Sequence, residues 1–250
     1  MRKGESSLKT QIVASFMPRQ KQLSDEQRAL IQQNAAFFDI LELRIDALAE
    51  CRTIVVEQLI DQILENYPTK PFEILVTYRT QSQGGEGHYE KEDYFKLLRG
   101  LTQLKEIDLI DVEWAHDQQE RGEIVSQIHQ AGMVSIASYH NFEETPPIEV
   151  LKKTYYHMSQ LGANHLKIAV MPRTTQDVLV LLQALSESSD ALQQWITGIS
   201  MSQLGLISRT AQNTFGGALS YGALEEGVAP GQLHVKQLAE VLPLYSLFES

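Results

Sequence analysis

Ile40-Leu41-Glu42-Leu43-Arg44-Ile45 alternates charged and aliphatic side chains over a run the length of one β-strand. Successive side chains of a strand face opposite ways, so Glu42 and Arg44 share one face while Leu41, Leu43 and Ile45 share the other. His165-Leu166-Lys167-Ile168-Ala169-Val170 repeats the pattern and sets Lys167 against Leu166, Ile168 and Val170. Parallel strands buried on both faces normally read as nearly continuous aliphatic runs, so a charge inside one needs a partner or a task. In a βα-barrel both observations have a place: the aliphatic face meets the surrounding helices, and the charged face looks into the barrel.

Along the whole chain, β-branched runs alternate with amphipathic segments. The strand expectations are Gln11–Phe16, Ile40–Arg44, Phe72–Tyr78, Leu109–Glu113, Met133–Tyr139, His165–Val170, Trp195–Ser200 and Ala218–Tyr221. Helical spacing of apolar residues marks Ser24–Asn34, Thr53–Asn66, Lys91–Leu101, Gln118–Gln130, Pro147–Leu161, Gln176–Ser186, Leu206–Thr214 and Val235–Leu247. Eight βα units in series, with no linker rich in proline, glycine or serine, predict one domain over residues 1–250. The fold expected is α/β, an eight-stranded parallel βα-barrel of the TIM type. A doubly wound open sheet shares the alternation but usually has a glycine-rich turn after its first strand, where this chain has Phe16-Met17-Pro18-Arg19.

Composition narrows the function. The 250 residues are 43% hydrophobic with a formal net charge of −11 and no basic block, which argues against nucleic acid as a partner. A small anion can still be held where a few arginines converge. Cys51 is the one cysteine, so an internal disulfide and a cysteine-based zinc site are both excluded, and a reducing cytoplasm is the expected setting. Met1 to Thr10 lacks the apolar stretch of a secretory signal, and no window approaches the ~20 apolar residues of a membrane span. A soluble protein with no membrane partner is expected.

The polar residues within or closing apolar strands gather at strand C-termini, where barrel enzymes keep their chemistry. Arg79 follows Val76-Thr77-Tyr78, His140 follows Ala137-Ser138-Tyr139, and Asp111 and Glu113 share a face near the end of the fourth strand. Each has a plainer alternative: Glu42 with Arg44 as a structural ion pair filling the barrel, and Arg79 and His140 as water-exposed loop edges. Lys167 resists such an alternative. An inward lysine in a buried strand loses hydration and remains there near a carboxylate or as a neutral amine, which condenses with ketones and aldehydes. His88, His116, His129, His157, His165 and His234 have no metal-binding spacing and are expected at the surface or behind the site, so no metal is expected. Trp195 is expected to pack in the core or at its rim.

Together these segments resemble the type I 3-dehydroquinate dehydratases. The resemblance is carried by Ile40–Asp46, Thr77-Tyr78-Arg79 with Gly84-Gly85, Ser138-Tyr139-His140-Asn141-Phe142, Lys167–Pro172, Ser200-Met201 with Ile207-Ser208-Arg209, and Ala229-Pro230-Gly231-Gln232, in that order and spacing. It implies an imine between Lys167 and 3-dehydroquinate, with His140 removing a proton beside the imine and assisting departure of hydroxide to give 3-dehydroshikimate. The iminium acidifies the neighbouring carbon, so neither metal nor organic cofactor is needed. It further implies that Glu42, Arg44 and Arg79 hold ring hydroxyls, that Arg209 and Gln232 grip the substrate carboxylate, that Ser15 lies near the substrate, and that Gly227–Gly231 forms a lid. A homodimer is implied as well.

Two positions depart from the family pattern. Gln83 stands where a glutamate usually bonds the catalytic histidine, which removes a negative charge and predicts a lower histidine pKa, with Glu86 compensating if its loop bends inward. Val228 stands where the lid usually offers a serine hydroxyl. The alternatives left open are a Schiff-base aldolase acting on a related keto acid and a pocket-retaining paralogue that binds quinate-like ligands without turnover.

Overall fold

The computed structural model describes residues 9–115, 118–225 and 231–245. Eight strands, β1 (Gln11–Phe16), β2 (Ile40–Arg44), β3 (Glu73–Thr77), β4 (Leu109–Glu113), β5 (Val134–Asn141), β6 (His165–Val170), β7 (Trp195–Ser200) and β8 (Leu219–Ala223), form one sheet in the order β7-β6-β5-β4-β3-β2-β1-β8. Every ladder is parallel. The helices between them are α1 (Asp25–Asn34), α2 (Thr53–Leu64), α3 (Lys91–Leu101), α4 (Gln118–Gln130), α5 (Ile148–Gln160), α6 (Thr175–Ala191), α7 (Ile207–Thr210) and α8 (Val235–Val241). This is the TIM barrel that the βα alternation predicts.

The ring closes between β7 and β8 through the parallel bridge of Ile196 with Gly217, where Ala218 N donates to Ile196 O at 2.7 Å. A buried side chain supplements this short seam: Gln212 Nε2 donates to Gly198 O at 2.6 Å. Residue 217 must be glycine for that arrangement, because a Cβ there would stand 1.7 Å from Gln212 Oε1.

Strand alternation separates two apolar clusters. Leu41, Leu43, Ile74, Val76, Leu166 and Ile168 face outward and pack against helix residues such as Val56, Leu59, Phe95, Leu98 and Tyr155. Val13, Ile40, Leu75, Leu109, Ile136, Ala169 and Tyr221 fill the barrel interior. The charged residues of β2, β4 and β6 lie above this inner floor, at the C-terminal mouth.

Side-chain caps begin several helices. Ser24 and Gln27 form a reciprocal capping box on α1, Thr174 and Asp177 on α6, and His234 and Gln237 on α8. His234 is therefore a helix cap. His165 departs from the expectation of a surface or second-layer histidine: it is buried inside the barrel and stacks on Trp195 with ring centroids 6.3 Å apart. The inward register that carries Lys167 carries the residue two before it.

Three strands end elsewhere than the sequence predicts. β5 runs on through Asn141, because β6 still offers Ala169 and Val170 as ladder partners for His140 and Asn141. His140 therefore lies within a strand. β3 stops at Thr77, and β8 begins at Leu219 and reaches Ala223. The predicted helix 206–214 is a four-residue α7 followed by a 3-10 turn at Asn213–Phe215. Part of the expected Gly227–Gly231 lid, together with Val228, His116 and the end of the last predicted helix, lies outside the described residues.

Candidate active site

Lys167 sits on β6 between Ser138 of β5 and Thr197 of β7, pointing inward with 5% of its surface exposed. Its Nζ stands 3.6 Å from the centroid of the Tyr221 ring and makes no hydrogen bond or ion pair among the described residues. Burial lowers the amine's pKa from 10.5 to about 8, with Glu42 and Asp111 opposing that fall and Arg79 and Arg44 adding to it. About a tenth of the amine is then neutral at pH 7, and the neutral form is the nucleophile.

Glu42, on the same inward face, is buried and takes its hydrogen bonds from hydroxyls. Ser15 Oγ donates to Glu42 Oε2 at 2.5 Å and Thr77 Oγ1 donates to Oε1 at 2.9 Å. Burial raises its pKa most, but the nearby Lys167 and Arg44 charges and these hydroxyls outweigh that effect and hold it below its ordinary value. The plainer alternative, a structural pair of Glu42 with Arg44, does not form as a contact. A 3-10 turn at Ile45–Ala47 returns Asp46 beneath the guanidinium, and Arg44 Nε and Nη2 donate to its two oxygens at 2.8 and 2.9 Å. Glu42 therefore keeps its charge for the pocket.

Arg79 is buried, not a loop edge in water. Nη2 donates to Asp111 Oδ1 at 2.9 Å, and Nη1 donates to Glu113 Oε1 at 3.0 Å and Ser138 Oγ at 2.9 Å. Ser138 Oγ donates in turn to Asp111 Oδ1 at 2.7 Å, and Thr80 donates to Glu113 through N and Oγ1, both at 2.8 Å. The carboxylates raise the Arg79 pKa despite burial, so it is a permanent cation at the base of the pocket.

His140 is half-buried beside this cation. Gln83 Oε1 accepts its backbone N–H at 3.0 Å and lies 3.4 Å from its Nδ1, while Gln83 Nε2 donates to Trp114 O at 3.1 Å. These backbone partners fix which end of the amide is oxygen. An oxygen beside Nδ1 selects the tautomer protonated there and leaves Nε2 as the basic nitrogen. Burial, then Arg79, Lys167 and Arg44, hold the His140 pKa well below 6.5. Phe142, stacked on His140 at 6.4 Å, completes the wall. Gly84 (φ +78°) makes room for it, since a Cβ there would meet the Phe142 ring at 2.1 Å.

Glu86 does not stand in for a carboxylate at Gln83. Both its oxygens are taken by Arg19, at 2.8 and 2.9 Å, and only its backbone N–H reaches inward, to Asp46 at 3.0 Å.

Arg209, on α7, is buried near β8. Its Nη1 donates to Tyr221 O at 3.0 Å, its Nε has no partner among the described residues, and burial lowers its pKa to about 10. A guanidinium without a carboxylate partner is a site for an anion. Gln232 is half-buried on the segment leading from Gly231, which abuts the Ser202 backbone, into α8. The structure thus gathers Ser15, Glu42, Arg44, Arg79, Gln83, His140 and Lys167 at one mouth, while no described contact joins Gln232 to them. Among the described residues no cluster of side chains is suited to a metal, and no helix is long and apolar enough to cross a membrane.

The residue that sequence reasoning missed is Tyr221. Its signal was the inward alternation Leu219, Tyr221, Ala223 along β8, obscured because Tyr221 marked the end of the predicted strand.

A family model described as type I 3-dehydroquinase matches residues 7–249. The 3-dehydroquinate dehydratase of Staphylococcus saprophyticus is 42% identical over 209 residues, covering 83% of this chain and 87% of the relative. That of Staphylococcus carnosus is 40% identical over 240 residues, covering 96% and 98%. Among solved structures, the type I 3-dehydroquinate dehydratase of Clostridium difficile, containing covalently modified comenic acid, superimposes with a TM-score of 0.85 at 30% identity, over 97% of this chain and 94% of that one. The 3-dehydroquinate dehydratase of Geobacillus kaustophilus gives 0.88 at 25% identity, over 96% and 93%.

Proposed function

The chain belongs to the type I 3-dehydroquinase family, and from that premise we propose that Lys167 and His140 carry its reaction, with the surrounding charged residues as the substrate cradle. The reaction is the dehydration of 3-dehydroquinate to 3-dehydroshikimate, a carbon–oxygen lyase step of the shikimate pathway. Neither an aldolase nor a non-catalytic binder is favoured.

The observation that supports the assignment is a buried lysine with a pKa near 8 beside a histidine held neutral. Lys167 Nζ attacks the substrate carbonyl and the oxygen leaves as water, giving an iminium. The neutral Nε2 of His140 removes a proton from the adjacent carbon, and the electron pair flows into the iminium to form an enamine. The electrons then return to expel the hydroxyl, which the imidazolium protonates, and water hydrolyses the resulting conjugated imine.

Glu42, Arg44, Arg79 and Ser15 are assigned to the ring hydroxyls and to the lysine's charge state. Arg209 and Gln232 are assigned to the carboxylate, with Arg209's exposed cost of burial offset when the anion arrives. Gln83 orients His140. A cytoplasmic homodimer is part of the proposal, the assembly resting on the family resemblance and the compartment on the lone cysteine.

Borohydride reduction in the presence of 3-dehydroquinate, followed by intact mass and peptide mapping, tests the assignment. A reduced adduct on Lys167 is the expected result. Turnover with no adduct at Lys167 overturns it.

A further inference from the structure

The geometry points to Tyr221 as a positioning residue for the imine chemistry, its ring face holding the Lys167 nitrogen as a cation, first as ammonium and then as iminium. This rests on the assignment of Lys167 as the imine-forming residue.

Tyr221 pairs with Val13 of β1 and faces into the barrel, where its ring packs with the inner floor of Val13, Ile40 and Leu75. The ring separates that floor from Lys167 Nζ, which lies 3.6 Å from its centroid. A cation at that distance over a ring face is attracted by the ring's quadrupole, and more strongly where water is excluded. The hydroxyl does not anchor the ring, because Tyr221 Oη is buried with no partner among the described residues. The backbone anchors it instead, through the β1 ladder and through Arg209 Nη1 donating to Tyr221 O.

The charged and titratable groups around the amine are Glu42 and Arg44 from β2, Asp111 from β4, His140 from β5 and Arg79 after β3. None makes an ion pair with Nζ among the described residues. A carboxylate in contact would hold the lysine protonated and compete for its proton. A ring face stabilises the positive charge without accepting a proton, so the amine can still deprotonate and attack. On condensation, one amine proton and one proton from solvent leave with the carbonyl oxygen as water. The nitrogen keeps one proton and a positive charge, and it remains over the same ring.

The test is a series at one position in the full-length chain, with Tyr221→Phe as parent and mono-, di- and trifluorinated phenylalanines replacing it in turn. Fluorine withdraws electron density from the ring face while leaving the ring's shape nearly unchanged. Two quantities are read for each protein: the fraction trapped at Lys167 by borohydride with 3-dehydroquinate, and the midpoint of its pH dependence. Thermal unfolding of each member reports the fold. The expected result, read above the lysine's pKa of about 8 where the neutral amine is the starting form, is a stepwise fall in the trapped fraction, on the order of tenfold across the series, with the midpoint moving to lower pH. A flat series in folded proteins that still form the Lys167 adduct overturns the role of Tyr221 alone. Absence of the adduct from the unsubstituted protein overturns the imine assignment and this proposal with it.

Discussion

Gln83 Oε1 accepts the backbone N–H of His140 at 3.0 Å, and the same oxygen lies 3.4 Å from the Nδ1 of that residue's ring. One side-chain amide thus fixes both the strand position of the histidine and its tautomer. It does so without charge, and the cations Arg79, Lys167 and Arg44 add to burial in lowering the His140 pKa.

Gln83→Glu is therefore expected to raise the His140 pKa, because a carboxylate stabilises the imidazolium. His140 acts as a base in its neutral form, so the acid limb of kcat should move to higher pH. The same change removes the donor to Trp114 O and leaves two oxygens facing each other, at an expected cost of about 1–3 kcal/mol in urea unfolding. A pH–rate profile and a denaturation curve that both match the unsubstituted protein would remove the role given to this loop.

Arg209→Met should separate binding from stability. Among the described residues the guanidinium has no carboxylate partner to offset the cost of its burial, so its removal is expected to leave unfolding free energy unchanged or increased. The substrate carboxylate loses a charge-assisted partner, and KM is expected to rise about a hundredfold, the equivalent of about 3 kcal/mol. Steady-state kinetics beside thermal unfolding reads both, and a loss of stability equal to the loss of binding would mark the residue as structural.

Arg79→Met should behave in the opposite way. It strands Asp111 and Glu113 in the barrel interior, and breaking a buried pair in this manner costs about 3–5 kcal/mol. Adding Asp111→Asn and Glu113→Gln to the same chain is expected to recover part of that stability and none of the activity. Urea denaturation of the single and triple variants checks the first point, and enone absorbance checks the second.

The difference between these two arginines was not legible in the sequence. Arg79 read as the residue closing a strand and Arg209 entered through the family resemblance, and only the fold gives Arg79 two carboxylates from β4 and leaves Arg209 with a backbone carbonyl. Period-two alternation did locate Glu42, Arg44 and Lys167 on the inward face, because register within a strand is a local property. Partners are not local. Arg44 turned to Asp46 through a 3-10 turn instead of pairing with Glu42, and Glu86 was captured by Arg19 from a different loop. The end of β5 was misjudged for the same reason, since how far a strand extends depends on how far its neighbour does.

Lys167→Met carries the last prediction. The lysine's pKa falls from 10.5 when unfolded to about 8 when folded, so holding its charge in the native barrel costs about 3 kcal/mol at any pH below 8. Between pH 8 and 10.5 the unfolded chain binds more protons than the folded one, and the stability of the lysine protein rises with pH through that window. Methionine fills similar volume with no charge. The variant should therefore be inactive yet more stable near pH 7, by up to about 3 kcal/mol, with the gap closing as pH approaches 10.5. Urea unfolding of both proteins at pH 7 and pH 10 measures the gap directly, and a gap that is absent at pH 7 or widens with pH contradicts a lysine strained by its burial.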